Sequence, residues 1–416
     1  MNNQHLPHLP ASFWDQSRQL TAIRQAAYSR ITSPDAVLAS VLCRVAVSFP
    51  PTFTLPNQTS LNFIAALVGE SGTGKSVAFR AARHLLPDIG TAVDGHNVGS
   101  GQGIASTYSD RTQDDETTSQ PVTSALFCVD EGEQLLKLGK ASESITLSTI
   151  RSAWSGETLG TANASKERRR HVPADSYRFA MAVGFQPSFA AELLTGVSAG
   201  DPQRFLFVGV TYPDQPDIRP AFPKQFAPLW DQTLTADLSL NVDREITREI
   251  DSCRVKKQRL EVPVDPLDSH RHLLQLKAAG LLALLHNDDV TLQWWNAAAL
   301  MGDVSRGVRD RLCELAVLDR RQRNAERTAD QIETESAIDA SREQRSLDSM
   351  IRTMIQKCKV AEGVPVIYSD LHNATASKHR AVVNFDSALA TALDRGLLIP
   401  APNKPRHYLA SLGTRN

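Results

Sequence analysis

Eight consecutive residues, Gly69-Glu70-Ser71-Gly72-Thr73-Gly74-Lys75-Ser76, carry the strongest chemical signal in the chain. They fit the pattern GxxxxGK[ST] at every fixed position. Glycines let a backbone wrap closely enough for its N–H groups to surround phosphate oxygens. The helical pattern that begins at Val77 would aim its unpaired N–H groups and its dipole at the same charge. Lys75 would reach the β- and γ-phosphates of a nucleoside triphosphate, and the Ser76 hydroxyl would ligate Mg²⁺. An apolar run at 61–68 (LNFIAALV) leads straight into the motif, so the loop sits between an expected strand and an expected helix. The expected ligands are ATP and Mg²⁺, cradled by residues Gly69 to Val77.

A triphosphate site also needs an acidic partner. The segment LFCVDE provides one, because an apolar strand ending in an acid is the Walker B arrangement. Asp130 would hold Mg²⁺ directly or through water, and Glu131 would polarise the attacking water. Glu133 competes for that role if the strand ends one pleat later. Two further side chains are candidates. Gln186 ends an apolar run at 176–186 and either touches the γ-phosphate or lytic water, or makes a local turn contact. Arg204 opens the run QRFLFVGV. Its guanidinium either stabilises the spread charge of phosphoryl transfer, in its own subunit or across a boundary, or serves the surface. Lys277 is a weaker candidate for a similar role.

These residues require elements that hold them. Apolar runs at 61–68, 125–131, 176–186 and 203–210 read as buried strands separated by helices, an α/β pattern. That pattern predicts a P-loop core with a mostly parallel sheet and helices on both faces. The boundaries read as a helical region over 1–60, the P-loop core over 61–215, a proline-rich linker and helical lid over 216–345, and a winged helix over 346–416. The stretch 305–348 is highly charged at helical spacing and reads as a long solvated helix or helix pair. With 416 residues, two or three domains are expected. Formal net charge is −1, so any nucleic-acid contact must come from local patches. The five cysteines are scattered without a CxxC pair, which argues against a zinc site or a disulfide framework and fits a reducing cytosol. The N-terminus has no signal-peptide pattern and no run of about 20 apolar residues occurs, so a cytoplasmic chain without a membrane span is expected.

The order of GESGTGKS, LFCVDE, RSAWSGETLG, a basic segment, SYRFAMAVGFQP and DPQRFLF resembles a family of P-loop ATPases encoded on bacterial mobile elements and phages. That family is similar to the helicase half of primase–helicase proteins, with a RecA/AAA+-like core. The resemblance spans about residues 12–310, and its most distinctive part runs from Trp154 to Phe207. It implies ATP hydrolysis, a homo-oligomeric ring, with a hexamer as one candidate size, and action on DNA during element replication. Lys75 and Ser76 then match the P-loop, Asp130 and Glu131 the acidic pair, Gln186 the sensor and Arg204 the arginine. The chain carries no primase-type catalytic segment, so it matches the motor part alone.

Two candidate DNA surfaces follow. Lys166, Arg168, Arg169 and Arg170 lie in an interval that faces the pore of RecA-like rings, and could track a single strand. The segment from Asp370 to Phe385 is expected to hold a helix carrying Lys378, His379 and Arg380, with Lys404 and Arg406 in a wing, which suits duplex DNA or a protein partner. The leading expectation is a DNA-dependent ATPase. A regulatory ATPase that switches assembly without translocating is the second, and a small-molecule kinase the third.

Overall fold

The computed structural model describes residues 5–109, 122–140, 145–160, 171–195, 201–229, 239–263 and 265–411. The chain divides into two compact units, Met1–Leu318 and Asp319–Asn416. The first unit opens with helices α1 (Ala11–Trp14), α2 (Arg18–Arg30) and α3 (Pro34–Ser48). Local chemistry sets their starts. Ser17 Oγ accepts the Leu20 N–H at 3.0 Å to cap α2. Pro34 begins α3 with its φ already helical. Every residue of α3 is buried, which makes it the central helix of the core.

Five strands follow in sequence: β1 (Phe63–Val68), β2 (Val93–His96), β3 (Ser124–Val129), β4 (Arg178–Phe185) and β5 (Phe205–Gly209). Between them lie α4 (Lys75–Leu85), α5 (Gly101–Tyr108), α6 (Gly132–Lys140), α7 (Thr146–Ser155) and α8 (Pro187–Thr195). The sheet order is β2-β3-β4-β1-β5, and every pairing is parallel. All strand C-termini therefore share one edge. In β1 the side chains alternate between two cores. Phe63, Ala65 and Leu67 join residues of α3, α4 and α10 (Arg271–Leu285), while Ile64, Ala66 and Val68 join residues of α5, α7 and α8. Both faces are covered, so the strands read as unbroken apolar runs.

Strand β2 was not among the expected strands. Its sequence VDGH has one apolar residue and is half-exposed at the sheet edge, so it carries no hydrophobic pattern. The lid region contains α9 (Arg244–Gln258), α10 and the start of α11 (Leu292–Val360). Helix α11 extends well beyond the charged stretch 305–348 in both directions.

The second unit contains the end of α11, then β6 (Val366–Ile367), α12 (Tyr368–Ala374), α13 (Ser377–Arg380), α14 (Phe385–Asp394), β7 (Leu398–Pro400) and β8 (His407–Ala410). The strands form an antiparallel sheet in the order β6-β8-β7. Met350, Met354, Leu371, Phe385, Leu389 and Leu398 form its core. The helix expected between Asp370 and Phe385 to carry the basic residues is α13, a single turn of four residues. The longer helix α14 (FDSALATALD) contains no lysine or arginine. His379 is engaged inside the unit by Ser346 and Ser349 at 3.3 and 3.2 Å.

The N-terminal segment is anchored beside α3. The Leu9 N–H donates to Asp35 Oδ2 at 3.0 Å, and His8 Nδ1 lies 3.9 Å from the same oxygen. Burial pushes the Asp35 carboxyl up to about 7, against the Leu9 hydrogen bond, while burial pushes His8 below its ordinary range. The two groups act in opposite directions. An acid with a raised folded pKa keeps its proton in the folded state while the unfolded chain has lost it, so its stabilising effect declines as pH rises from about 4 to about 7. A histidine with a lowered folded pKa loses stability as pH falls. Asp35→Asn retains an acceptor for Leu9 and removes only the first effect. Urea midpoints measured at about pH 5 and about pH 8 are expected to show the variant gaining relative to wild type at the higher pH. An equal shift at both values would remove Asp35 from the titration.

Candidate functional site

The P-loop leaves the sheet between two neighbours. Gly69 N–H donates to the Phe185 carbonyl at 3.0 Å, and Val210 N–H donates to the Val68 carbonyl at 2.9 Å. The turn then closes on itself, with Thr73 Oγ1 donating to the Glu70 carbonyl at 2.7 Å. Gly72 and Gly74 take φ of +79° and +105°, which residues with a Cβ rarely adopt. Gly74 is the N-cap of α4 and supplies no side-chain cap, so the first N–H groups of that helix have no intrahelical partner. Thr32 braces the turn from behind, its Oγ1 reaching the Gly74 carbonyl at 3.4 Å. A loop of open N–H groups at the head of an eleven-residue helix suits phosphate oxygens.

Lys75 stands in the first turn of α4. Its Nζ donates to the Gly69 and Glu70 carbonyls, both at 2.7 Å, which holds the ammonium over the loop. Burial pushes it below the ordinary lysine range, and the Glu70 carboxylate partly opposes this. The stem of Lys75 crosses β4 at Gly184. A Cβ added there would stand 2.7 Å from the Asp130 carbonyl oxygen and 3.1 Å from Lys75 Cδ. Glycine is therefore required where the P-loop lysine and the end of β3 meet.

Register brings the acids to the same edge. Val129 pairs with Val183 and Val68 with Phe185, so Asp130 and Glu131 emerge beside the loop, as does Gln186. Ser76 and Asp130 line one cavity of about 310 Å³ between α4 and β3. No group of three or more His, Cys, Asp or Glu residues able to hold a metal occurs among the described residues. A divalent cation here would rest on Ser76, Asp130 and phosphate oxygens, a donor set of hard oxygens that suits Mg²⁺. Glu131 Oε2 accepts from Gln134 Nε2 at 3.0 Å. Glu133 is bound one turn further along α6 in an ion pair with Lys137 at 2.6 Å. Gly132 allows this tight start of α6, since a Cβ there would meet the Phe185 ring at 2.3 Å. Gln186 is exposed, and its carbonyl accepts from Ala190 N–H at 2.9 Å to begin α8.

Other expected residues lie elsewhere. Arg204 immediately precedes β5, whose Phe205 pairs with Ile64, so it sits at the N-terminal edge of the sheet. The length of β1 separates that edge from the P-loop by roughly 17 Å. Its guanidinium lies 5.5 Å from the Trp154 ring. Burial and the charge of Arg151 hold it below the ordinary arginine range. Lys277 lies at that same edge and is fully buried. Its Nζ donates to the Trp154 and Asn62 carbonyls at 2.6 and 3.0 Å and to Ser60 Oγ at 3.3 Å, so it is a core tie and not a phosphate ligand. Lys166, Arg168, Arg169 and Arg170 lie outside the described residues. In the second unit Lys378 is exposed, whereas Arg380 is half-buried with Nη1 at 2.8 Å from His372 Nδ1.

Sequence reasoning missed Gly184, Gly132 and Thr32. Gly184 lies within the quoted segment SYRFAMAVGFQP and Gly132 directly follows LFCVDE, but what makes each necessary is a neighbour from another segment. No local signal marks Thr32. No helix among the described residues is long and apolar enough to cross a membrane.

No family model matches the chain, and no curated protein matches it. One similar solved structure is described as "SCCmec type IV Cch - active helicase". It is 10% identical, and the match covers 90% of this chain and 67% of that one at a TM-score of 0.23. A likeness at that TM-score carries no functional argument.

The crowding at Gly184 has a measurable consequence. Gly184→Ala is expected to cost about 1–3 kcal/mol of stability, because neither the Asp130 backbone nor the Lys75 stem can move freely. Gly99→Ala is the control, since no atom lies within 4 Å of an added Cβ there. That variant is expected to stay within about 1 kcal/mol of wild type. Equal denaturation midpoints for the two variants would show that the contact at Gly184 is loose.

Proposed function

We propose that the chain binds ATP and Mg²⁺ at residues 69–77 and hydrolyses the nucleotide as a DNA-dependent motor. The observation that supports this most strongly is convergence. Lys75, Ser76, Asp130, Glu131 and Gln186 come from three adjacent parallel strands and meet at one sheet edge. Mg²⁺ bound by Ser76 and Asp130 would neutralise charge on the phosphate oxygens. Lys75 would leave the loop carbonyls and donate to the β- and γ-phosphates, while the N–H groups of residues 72–77 hold the remaining oxygens. Glu131 forms no ion pair among the described residues and would take the proton from the attacking water. Glu133 is the weaker candidate, because its carboxylate is held by Lys137. Gln186 would orient the water or the γ-phosphate.

Arg204 fits this scheme only from a second copy. Its position at the far edge supports a homo-oligomer in which one subunit's arginine completes the next subunit's site, with a ring as the closed form. The second unit is read as a winged helix, with β7 and β8 as the wing. Its α14 lacks cations and its Arg380 is held by His372, which favours a protein partner over duplex DNA for this unit. A regulatory ATPase whose nucleotide switches assembly is the second reading, and that observation is what favours it.

Steady-state ATP hydrolysis with and without single-stranded DNA is the direct test. DNA is expected to stimulate hydrolysis, and Lys75→Ala to abolish it. Glu131→Gln is expected to lower kcat by about 10²–10⁴-fold while nucleotide binding persists, with Glu133→Gln within about threefold of wild type. Lysine-dependent hydrolysis that ignores DNA would select the regulatory reading, and no hydrolysis at all would overturn both.

Mixing subunits tests the arginine. Lys75→Ala and Arg204→Ala chains are each expected to be inactive alone. Combined, they are expected to regain part of the activity, because some interfaces pair an intact P-loop with an intact arginine. A mixture as inactive as its parents would remove Arg204 from the neighbouring site.

A further inference from the structure

A second cavity lies at the opposite edge of the sheet from the P-loop. It has a volume of about 260 Å³ and is enclosed by α9, α10 and the Pro56–Thr59 turn. Its floor is apolar, formed by Ile250, Leu273 and Leu276. Its charged lining consists of Arg254 and Lys257 with one carboxylate, Asp251. Arg254 and Lys257 stand one turn apart on α9, and among the described residues neither has an ion-pair or hydrogen-bond partner. His270 and His272 complete the lining. His272 is stacked near Trp295 with an interplanar angle of 11°, and His270 packs edge-on to Trp154, so both imidazoles are positioned by large rings.

Two independent features mark this cavity as more than a surface groove. Asn57 and Gln58 in its bordering turn both take left-handed φ, +58° and +55°. Two consecutive non-glycine residues in that region store strain, which persists where surrounding structure fixes a particular backbone course. Cations also stand near its lining. His270 is pushed down to about 4, first by burial and then by the charges of Arg204, Lys257 and Lys277. A neutral imidazole there is available as a hydrogen-bonding group.

We propose that this cavity is a second nucleotide-binding site, which seats a base against Ile250, Leu273 and Leu276 and holds its phosphate between Arg254 and Lys257. An apolar floor beside paired cations matches the two halves of a nucleotide unit. The volume admits one base with its sugar and excludes a duplex. The site is separate from the ATP site, because Thr59 and Gly69 lie at opposite ends of β1. It requires only that the chain meets nucleotides, so it stands even if the hydrolysis reading fails. The nucleotide unit could belong to a single strand or be free in solution, and the two sources are separable.

The experiment compares the full chain with the Arg254→Glu/Lys257→Glu variant, using three probes. Anisotropy of fluorescein-labelled oligo(dT) of about fifteen nucleotides reads strand binding. Fluorescence of mant-AMP reads free-nucleotide binding, and mant-ATP reads the P-loop. For a strand, the variant is expected to lose at least about tenfold in oligonucleotide affinity, and the slope of log K against log salt is expected to fall by about 1.4, the value for two lost phosphate contacts. For a free nucleotide, saturable mant-AMP binding is expected in wild type and lost in the variant, with oligonucleotide affinity unchanged. In both cases the Lys75-dependent component of mant-ATP binding and the melting temperature stay as in wild type. Unchanged binding of both oligo(dT) and mant-AMP, or no binding of either by wild type, overturns the proposal. Failure of mant-ATP alone instead counts against the P-loop reading. Should charge reversal unfold the chain, Arg254→Gln/Lys257→Gln carries the same expectations in reduced size.

Discussion

The missing side chain at Gly184 is the constraint on which the candidate site depends. Strand β4 lies between β1 and β3, so it separates the P-loop from the acidic strand end. The Lys75 stem and the Asp130 carbonyl can face the same point only if the intervening strand presents no Cβ there. The parallel pairing follows from the same need. Only strands running in one direction deliver their C-terminal loops to one edge, and parallel strands need crossovers on both faces. Those crossovers are α4 to α8, and the helix that fills the remaining space is α3, buried along its whole length. A site made of a few polar groups thus requires a sheet buried on both sides and two separate cores.

Much of this architecture is legible in the sequence, and the reason is physical. A strand covered on both faces must be apolar at nearly every position, so β1, β3, β4 and β5 stand out as runs. Strand β2 is an edge strand with one face to solvent, and VDGH gives no such run. It is recruited by pairing with β3, and Asp94 is fixed there by Arg44 at 3.0 Å and Arg83 at 3.1 Å. The P-loop was legible because its chemistry is local, with glycines, lysine and serine within eight residues. Gly184, Gly132 and Thr32 were not, because each is needed only where a distant segment approaches. Lys277 shows the converse error. A lysine in a helical lid suggests a phosphate ligand, but burial of its ammonium is offset by three oxygen acceptors that only the folded chain brings together.

The charged part of α11 is a different case, in which pattern was readable but extent was not. Over 319–345 every residue is exposed. Like charges recur at helical spacing in Arg323/Arg327, Glu326/Asp330, Glu335/Asp339 and Asp339/Glu343, while opposite charges do so in Asp319/Arg323, Arg323/Glu326, Arg327/Asp330 and Asp339/Arg342. Each pair is worth a few tenths of a kcal/mol of either sign, so charge pairing alone does not sustain the helix. The helix is sustained from its ends, where Val308 and Leu312 enter one core and Met350, Ile351 and Met354 enter another. Once packed turns exist at both ends, extending a helix between them no longer requires nucleation. The limits of α11 are therefore set by tertiary packing, which a local charge pattern does not encode.

The two edges of the sheet impose a division of labour. At the C-terminal edge, oxygen donors and one lysine surround a loop shaped for phosphate. At the N-terminal edge, burial first and then the charges of Arg204, Lys257 and Lys277 depress His270. A protein does not gather cations in this way without compensation, since each raises the cost of the next. Lys277 is compensated internally by carbonyls, and Arg204 in part by its contact with Trp154. Arg254 and Lys257 form no ion pair among the described residues, although Asp251 lines the same cavity. An anion brought by another molecule would add to that partial compensation, and the cavity would supply the apolar contact that water alone does not require. The same sheet that holds the loop suited to phosphate at one edge thereby leaves an edge with several cations roughly one strand length away, too far for the two to share a ligand as small as a single nucleotide.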